Sequence, residues 1–254
     1  MVRIGSVLLA TVLLLGVTSA SAEPVTLVTL GDSLTVGDGD EADGGYPARL
    51  LVKISEKAPG STLKNLAQSG WTSDDLINTQ LEPAVAALKA APGDAPKLAL
   101  VWIGSNDLFG LYNYVCPEDY RNDYARCEPE ALQQFTDNIK TILASLKATG
   151  ARLYIALLDD QSKRPVMRNP QLRRDSYDKI TADDVSRMSV QTGRYNAVIR
   201  ELAARYGATT VDFLDTKIFE TPATLSEDGN HPNAAGYDAI AGIWYRAISA
   251  ALAR

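Results

Sequence analysis

Apolar residues fall along this chain in two alternating rhythms. Short runs rich in Val, Leu, Ile and Thr, bounded by Gly, Pro or charge, occur at Val25 to Leu30, Thr62 to Leu66, Leu98 to Ile103, Leu153 to Leu158 and Thr209 to Phe213. They predict five β-strands. Longer stretches with apolar residues at helical spacing predict helices near 46–57, 74–91, 129–148, 182–206 and 233–252. The third of these has a start signal in Pro129-Glu130 and a stop in Lys147 followed by Gly150. Strands alternating with helices imply right-handed crossovers, and so an α/β fold with a parallel sheet covered on both faces. Ligands of such sheets bind beyond the carboxyl ends of the strands, which directs attention to the loops that follow them.

The first 22 residues break this pattern. Arg3 precedes an almost wholly apolar run, Val7 to Val17, and Ala20-Ser21-Ala22 supplies small residues before Glu23. This is the pattern of a signal peptide cleaved after Ala22, and the apolar run is shorter than the roughly 20 residues that cross a bilayer. The expected organisation is therefore a leader at 1–22 and one domain at 23–254, secreted or periplasmic, with no stable membrane insertion. A chain of 254 residues that is 46% hydrophobic can bury a core of its own. With 25 Lys and Arg against 31 Asp and Glu, its net charge of −6 disfavours nucleic acid and anionic surfaces and suits a small neutral substrate. Export places Cys116 and Cys127 in an oxidising compartment, where the pair is expected to close as a disulfide; a lone C-x10-C lacks the four ligands of a structural zinc.

Two connections are longer than a structural link requires. Residues 104–128 hold Tyr112, Tyr114, Tyr120, Tyr124 and both cysteines, and are expected to form a disulfide-held loop beside the substrate. Residues 159–180 hold Lys163, Arg164, Arg168, Arg173 and Arg174, and the sequence leaves their role open. Asp38 to Gly44 has the look of a calcium loop but misses the EF-hand spacing and its closing glutamate, so a solvated acidic loop is expected. Ser61-Thr62-Leu63-Lys64 fits the Ser-x-x-Lys pattern of penicillin-interacting enzymes without its partner motifs.

A serine becomes a useful nucleophile only beside a base, and the base needs a partner that fixes its tautomer. The chain has one histidine, His231, in Asp228-Gly229-Asn230-His231-Pro232-Asn233, just before the last predicted helix. A tight turn there can fold the Asp228 carboxylate back onto the imidazole and leave the other ring nitrogen free to take a proton. Ser33, in Gly31-Asp32-Ser33-Leu34-Thr35, ends the first strand, where it suits a nucleophile and equally an N-cap serine. Asn65-Leu66-Ala67-Gln68-Ser69-Gly70-Trp71 and Gly104-Ser105-Asn106-Asp107 follow the second and third strands. They offer the Gly70 N–H and the Asn106 amide to an oxyanion, although each residue suits a plain turn as well. Asp32 and Asp107 read as turn and network residues.

In order and placement these four blocks resemble those of the SGNH hydrolases, also called the GDSL family of esterases and lipases. The resemblance spans residues 31–231 and assigns Ser33, Gly70, Asn106 and His231 to the family's four naming positions, with Asp228 as the triad acid. It implies a three-layer α/β/α sandwich around a five-stranded parallel sheet, flavodoxin-like in outline. It also implies a catalytic triad of Ser33, His231 and Asp228, with an oxyanion hole built from Ser33, Gly70 and Asn106. No cofactor or metal is called for. The Gly-x-Ser-x-Gly elbow of the α/β-hydrolases is absent. The expected activity is hydrolysis of short-chain acyl or acetyl esters by a monomer. The alternatives are a lysophospholipase or thioesterase of the same family, and a non-catalytic carbohydrate-binding module on the same fold.

Overall fold

The computed structural model describes residues 22–40, 44–93 and 95–252. The leader expected at 1–22 thus lies, except for Ala22, outside the described residues. Five parallel strands form one sheet: β1 (Thr26–Gly31), β2 (Thr62–Asn65), β3 (Lys97–Trp102), β4 (Arg152–Ala156) and β5 (Thr209–Val211), in the order β2-β1-β3-β4-β5. Each covers most of a predicted run. The central strands β1 and β3 are buried almost throughout, which is why their sequences are continuously apolar rather than alternating.

Between the strands lie α1 (Ser33–Val36), α2 (Gly45–Ser55), α3 (Ser73–Thr79), α4 (Leu81–Ala90), α5 (Ser105–Gly110), α6 (Tyr124–Lys147), α7 (Pro165–Arg168), α8 (Pro170–Ser176), α9 (Ala182–Tyr206) and α10 (Ala234–Leu252). Helix α2 packs along α10, while α6 packs against α4 and α9, giving a helical layer on each face of the sheet. On the α2–α10 side the core is aromatic: Trp102 stacks on Phe213 with ring centroids 4.1 Å apart, and Tyr46 on Trp244 at 5.5 Å.

Three predicted elements come out differently. The stretch 74–91 is two helices, because Pro83 has no N–H to offer the Thr79 carbonyl and the chain turns at Gln80. The helix expected to start at Pro129 begins at Tyr124 and carries Pro129 inside it. Its first turn is fixed independently, by the Cys127 N–H bonded to the Asp123 carbonyl at 3.0 Å and by a disulfide from Cys127 to Cys116. Residues 104–128 are not an open loop: α5 runs into a π-helix, Leu111–Asp119. Phe109, Leu111, Tyr112 and both cysteines sink there into a second apolar cluster with Val166, Met167, Ile180 and Met188. Burial of that face is what makes the segment helical.

Of the acidic stretch after α1, residues 41–43 lie outside the described residues, and Asp40 is less solvated than the composition predicts. Asp40 is buried, accepts the Gly45 N–H at 3.1 Å and is ion-paired with Arg49, so it closes the turn into α2. Ser61 donates to the Ala58 carbonyl at the amino end of β2, the edge of the sheet opposite the loops of interest.

Candidate active site

Strand order reverses between β1 and β3, so a crevice opens beyond their carboxyl ends, and the segments singled out in the sequence converge there. Gly31 ends β1 in a place no other residue fits: a Cβ would lie 2.3 Å from the Trp102 carbonyl and 2.5 Å from the Thr35 hydroxyl. Gln80, from the break between α3 and α4, holds this glycine by accepting its N–H at 2.9 Å and donating to its carbonyl at 2.8 Å. The chain then turns sharply. Asp32, not Ser33, is the N-cap, accepting the Leu34 N–H at 3.0 Å, and Ser33 is the first residue of α1.

His231 is brought to Ser33 by the turn before α10. Asp228 Oδ1 accepts the backbone N–H groups of Asn230 and His231 at 2.8 and 2.9 Å and the Ser226 hydroxyl at 2.7 Å. Its Oδ2 lies 2.6 Å from His231 Nδ1, and His231 Nε2 lies 2.9 Å from Ser33 Oγ. Burial alone would raise the Asp228 pKa, but the bonds from the His231 ring, the two backbone N–H groups and Ser226 overcome it and hold the carboxyl well below the usual range. The turn is anchored on both sides. Asn233 donates to the carbonyls of Ala223 and Leu225 and accepts the Gly236 N–H, and Tyr237 of α10 donates to the Asp38 carbonyl at 2.9 Å.

The other two loops are stitched to this pair. Gln68 N–H donates to the Gly31 carbonyl at 3.2 Å, and Asn106 Nδ2 donates to the Trp71 carbonyl at 2.9 Å. Gly70 lies between those ties in a left-handed conformation, φ 83°, with no side chain to block approach. Asn106 spends one amide hydrogen on Trp71 and has a second to offer a ligand. The Asp107 carboxylate accepts both the N–H and the hydroxyl of Ser73. Burial pushes its pKa up to about 6 against those bonds. Burial likewise pushes Asp32 up to about 7, with the Leu34 N–H and the charges of Arg164 and His231 acting the other way.

Gln80, Arg164 and Tyr237 were not visible as site residues in the sequence. A glutamine inside a helical run, or a tyrosine on a helix, carries no local signal of a partner dozens of positions away. Arg164 stood only among the cations of 159–180.

A serine hydroxyl, an imidazole and a carboxylate joined in one chain of hydrogen bonds, beside amide donors at a sheet's carboxyl edge, make an arrangement suited to acyl transfer. The GDSL-like Lipase/Acylhydrolase family model matches residues 29–239, and the chain belongs to that family; by class it is a carboxylic ester hydrolase. Its fold is that of an esterase from Pseudoalteromonas sp. (17% identity, TM-score 0.60, covering 90% of this chain and 99% of that one). It is likewise that of an acetylxylan esterase from Geobacillus stearothermophilus (18%, 0.61, 89% and 95%) and of a lipase from a goat rumen metagenome (19%, 0.62, 88% and 97%). No curated protein matches the sequence significantly.

Proposed function

We propose that the protein hydrolyses short-chain acyl or acetyl esters of small soluble alcohols through Ser33, His231 and Asp228. The observation that carries this reading is the continuous chain from Ser33 Oγ through His231 Nε2 and Nδ1 to Asp228 Oδ2, at 2.9 and 2.6 Å. Asp228 stays ionised and accepts a hydrogen bond from Nδ1–H, which keeps the proton on Nδ1 and leaves Nε2 as the acceptor of the Ser33 proton. Ser33 Oγ attacks the ester carbonyl as its proton passes to Nε2. The oxyanion is held by the N–H groups of Ser33 and Gly70 and by the Asn106 amide. The tetrahedral intermediate collapses as Nε2–H protonates the leaving alcohol, and water attacks the acyl-enzyme by the same route in reverse.

Small substrates are favoured by the space at hand. A cavity of about 380 Å³ lies beside Asn106, lined among others by Gly110, Leu111, Val115, Tyr120 and Gln134. That is near the lower end of ligand pockets, and its mix of aromatic, amide and carboxylate groups, the last from Asp74, Asp107 and Glu130, suits a single sugar ring or a short acyl chain. That Gly110, Leu111, Val115 and Tyr120 line it supports a substrate-site role for residues 104–128, and the likeness to an acetylxylan esterase supports including acetylated sugars among the candidates. Among the described residues no helix is long and apolar enough to cross a membrane. The leader pattern at 1–22, together with the Cys116–Cys127 disulfide, supports export, and a mature protein recovered outside the cytoplasm with Glu23 at its N-terminus is the expected result.

The test is hydrolysis of nitrophenyl esters from acetate to palmitate, and of acetylated sugars, by the mature chain beside Ser33→Ala and His231→Ala. Activity on the shortest esters that is lost in both variants supports the proposal. A preference for long acyl chains would move the function to the lysophospholipase reading.

A further inference from the structure

The segment 159–180 folds into a short 3-10 turn followed by α7 and α8, and it runs against the turn that carries Asp228 and His231. Of its cations, Arg164 is 1% exposed. Its guanidinium donates to both Asp159 oxygens, through Nε at 2.8 Å and Nη2 at 2.6 Å. It lies over the Phe219 ring at 4.6 Å from the centroid. The remaining arm, Nη1, donates to the side-chain oxygen of Asn230 at 2.7 Å.

Asn230 is the residue between Gly229 and His231, itself buried, and its backbone N–H is one of the donors on Asp228 Oδ1. Two residues beyond Arg164, the Val166 N–H donates to the Gly229 carbonyl at 3.0 Å. The Asp159 carboxylate, paired with the guanidinium at 2.6 and 2.8 Å, already neutralises the Arg164 charge, so the bond to the uncharged Asn230 amide is not needed for that purpose. A rigid fork can satisfy a carboxylate on one edge and reach a second acceptor with the other, which an ammonium at the end of a flexible stem cannot do in the same geometry.

We propose that Arg164 is a positioning residue for the reaction: through Asn230 it fixes the turn 228–231, so that the imidazole of His231 is held between Asp228 and Ser33. This rests on the triad reading above. Asp159 orients the guanidinium, the guanidinium orients Asn230, and Asn230 sets the backbone from which the His231 ring projects.

His231 is the only histidine in the chain, so a tag-free protein gives a single imidazole in 15N and downfield 1H NMR spectra. Arg164→Lys keeps the charge beside Asp159, and Asn230→Ala leaves the Asp159 pair untouched. Each is expected to lower kcat by about 10- to 100-fold with little change in KM, the scale of a misplacement near 1 Å. The double variant should be no worse than the more damaged single one. In both singles the Nδ1 proton resonance should move or broaden through faster exchange. Folded variants with wild-type kcat and an unmoved imidazole signal would overturn the proposal, as would losses that multiply in the double variant. Failure of the triad reading is separable, because it would appear as activity retained in Ser33→Ala while the imidazole signal still reported on Arg164.

Discussion

Asp107 holds Ser73 by two bonds, accepting its backbone N–H at 2.9 Å and its hydroxyl as well, although the two residues are 34 positions apart. The pair clamps the start of α3, three residues past Gly70, to the start of α5, one residue past Asn106. Two of the three candidate oxyanion donors, Gly70 and Asn106, therefore sit on segments that this carboxylate ties together, alongside the bond from Asn106 to the Trp71 carbonyl. Asn138 of α6 donates to the Ser73 hydroxyl at 3.0 Å and ties the clamp to the helical layer.

Replacing that carboxylate should cost activity more than substrate affinity. Asp107→Leu leaves the Ser73 N–H unpaired and frees the two loops to drift apart. The expected result is a fall in kcat of about 100-fold with KM within a few-fold of wild type, the pattern of weakened transition-state stabilisation. A steady-state comparison on acetate esters checks it, and a rise in KM at unchanged kcat would contradict it.

Asp228→Asn should be far more damaging than its partial exposure implies. The carboxylate is held in its charged form by four hydrogen bonds, and an amide in its place can present an N–H to the His231 ring, so the imidazole takes the wrong tautomer. A loss in kcat of about 10³- to 10⁴-fold is expected at neutral pH. Because the Asp228 pKa is lowered, the native state gains stability from its ionisation at neutral pH, and that gain is lost as pH falls through its depressed pKa.

Asp32 has the opposite sign. Its pKa is raised to about 7 by burial, so between the ordinary carboxylate range and pH 7 the native state holds a proton that the unfolded chain has released. Stability attributable to Asp32 therefore falls as pH rises through that window. Asp32→Asn keeps an oxygen for the Leu34 N–H and removes the titration. Denaturant midpoints measured from pH 4 to pH 8 should fall less steeply with pH in the variant, which should be the more stable protein at pH 8. An unchanged slope would show that Asp32 does not titrate there.

Much of this site could be read from sequence because its parts are local. The turn from Asp228 to His231 closes within four residues, and the Gly31-Asp32-Ser33 turn follows a strand whose apolar run is unbroken. The central strands β1, β3 and β4 were legible because buried parallel strands are nearly continuous apolar runs, whereas the edge strands β2 and β5 are largely exposed and showed only in their short Thr-, Leu- and Val-bearing runs. What escaped notice depends on distant partners. Residues 104–128 look like a polar loop until the cluster around Val166 and Met188 buries one side of them. The helix from Tyr124 was hidden by a proline at its sixth position, tolerated because other bonds secure the turn. Arg164 is indistinguishable in sequence from its exposed neighbours Arg168 and Arg174.

The disulfide gives a last prediction that separates stability from chemistry. Cys116 and Cys127 are both fully buried, close a short loop of the chain and join the π-helix to the first turn of α6. Cross-linking residues this close in sequence stabilises by about 2–3 kcal/mol, mainly by restricting the unfolded chain. Replacing both by Ala should lower the Tm and move the denaturant midpoint accordingly. Ser33, His231 and Asp228 belong to other elements, so kcat on acetate esters should change little below the new melting range. KM should rise on any substrate that uses the cavity wall at Leu111 and Val115, since the disulfide holds that segment in place. A variant that lost kcat on every ester alike, while still folded, would show instead that this segment helps to hold the reacting groups.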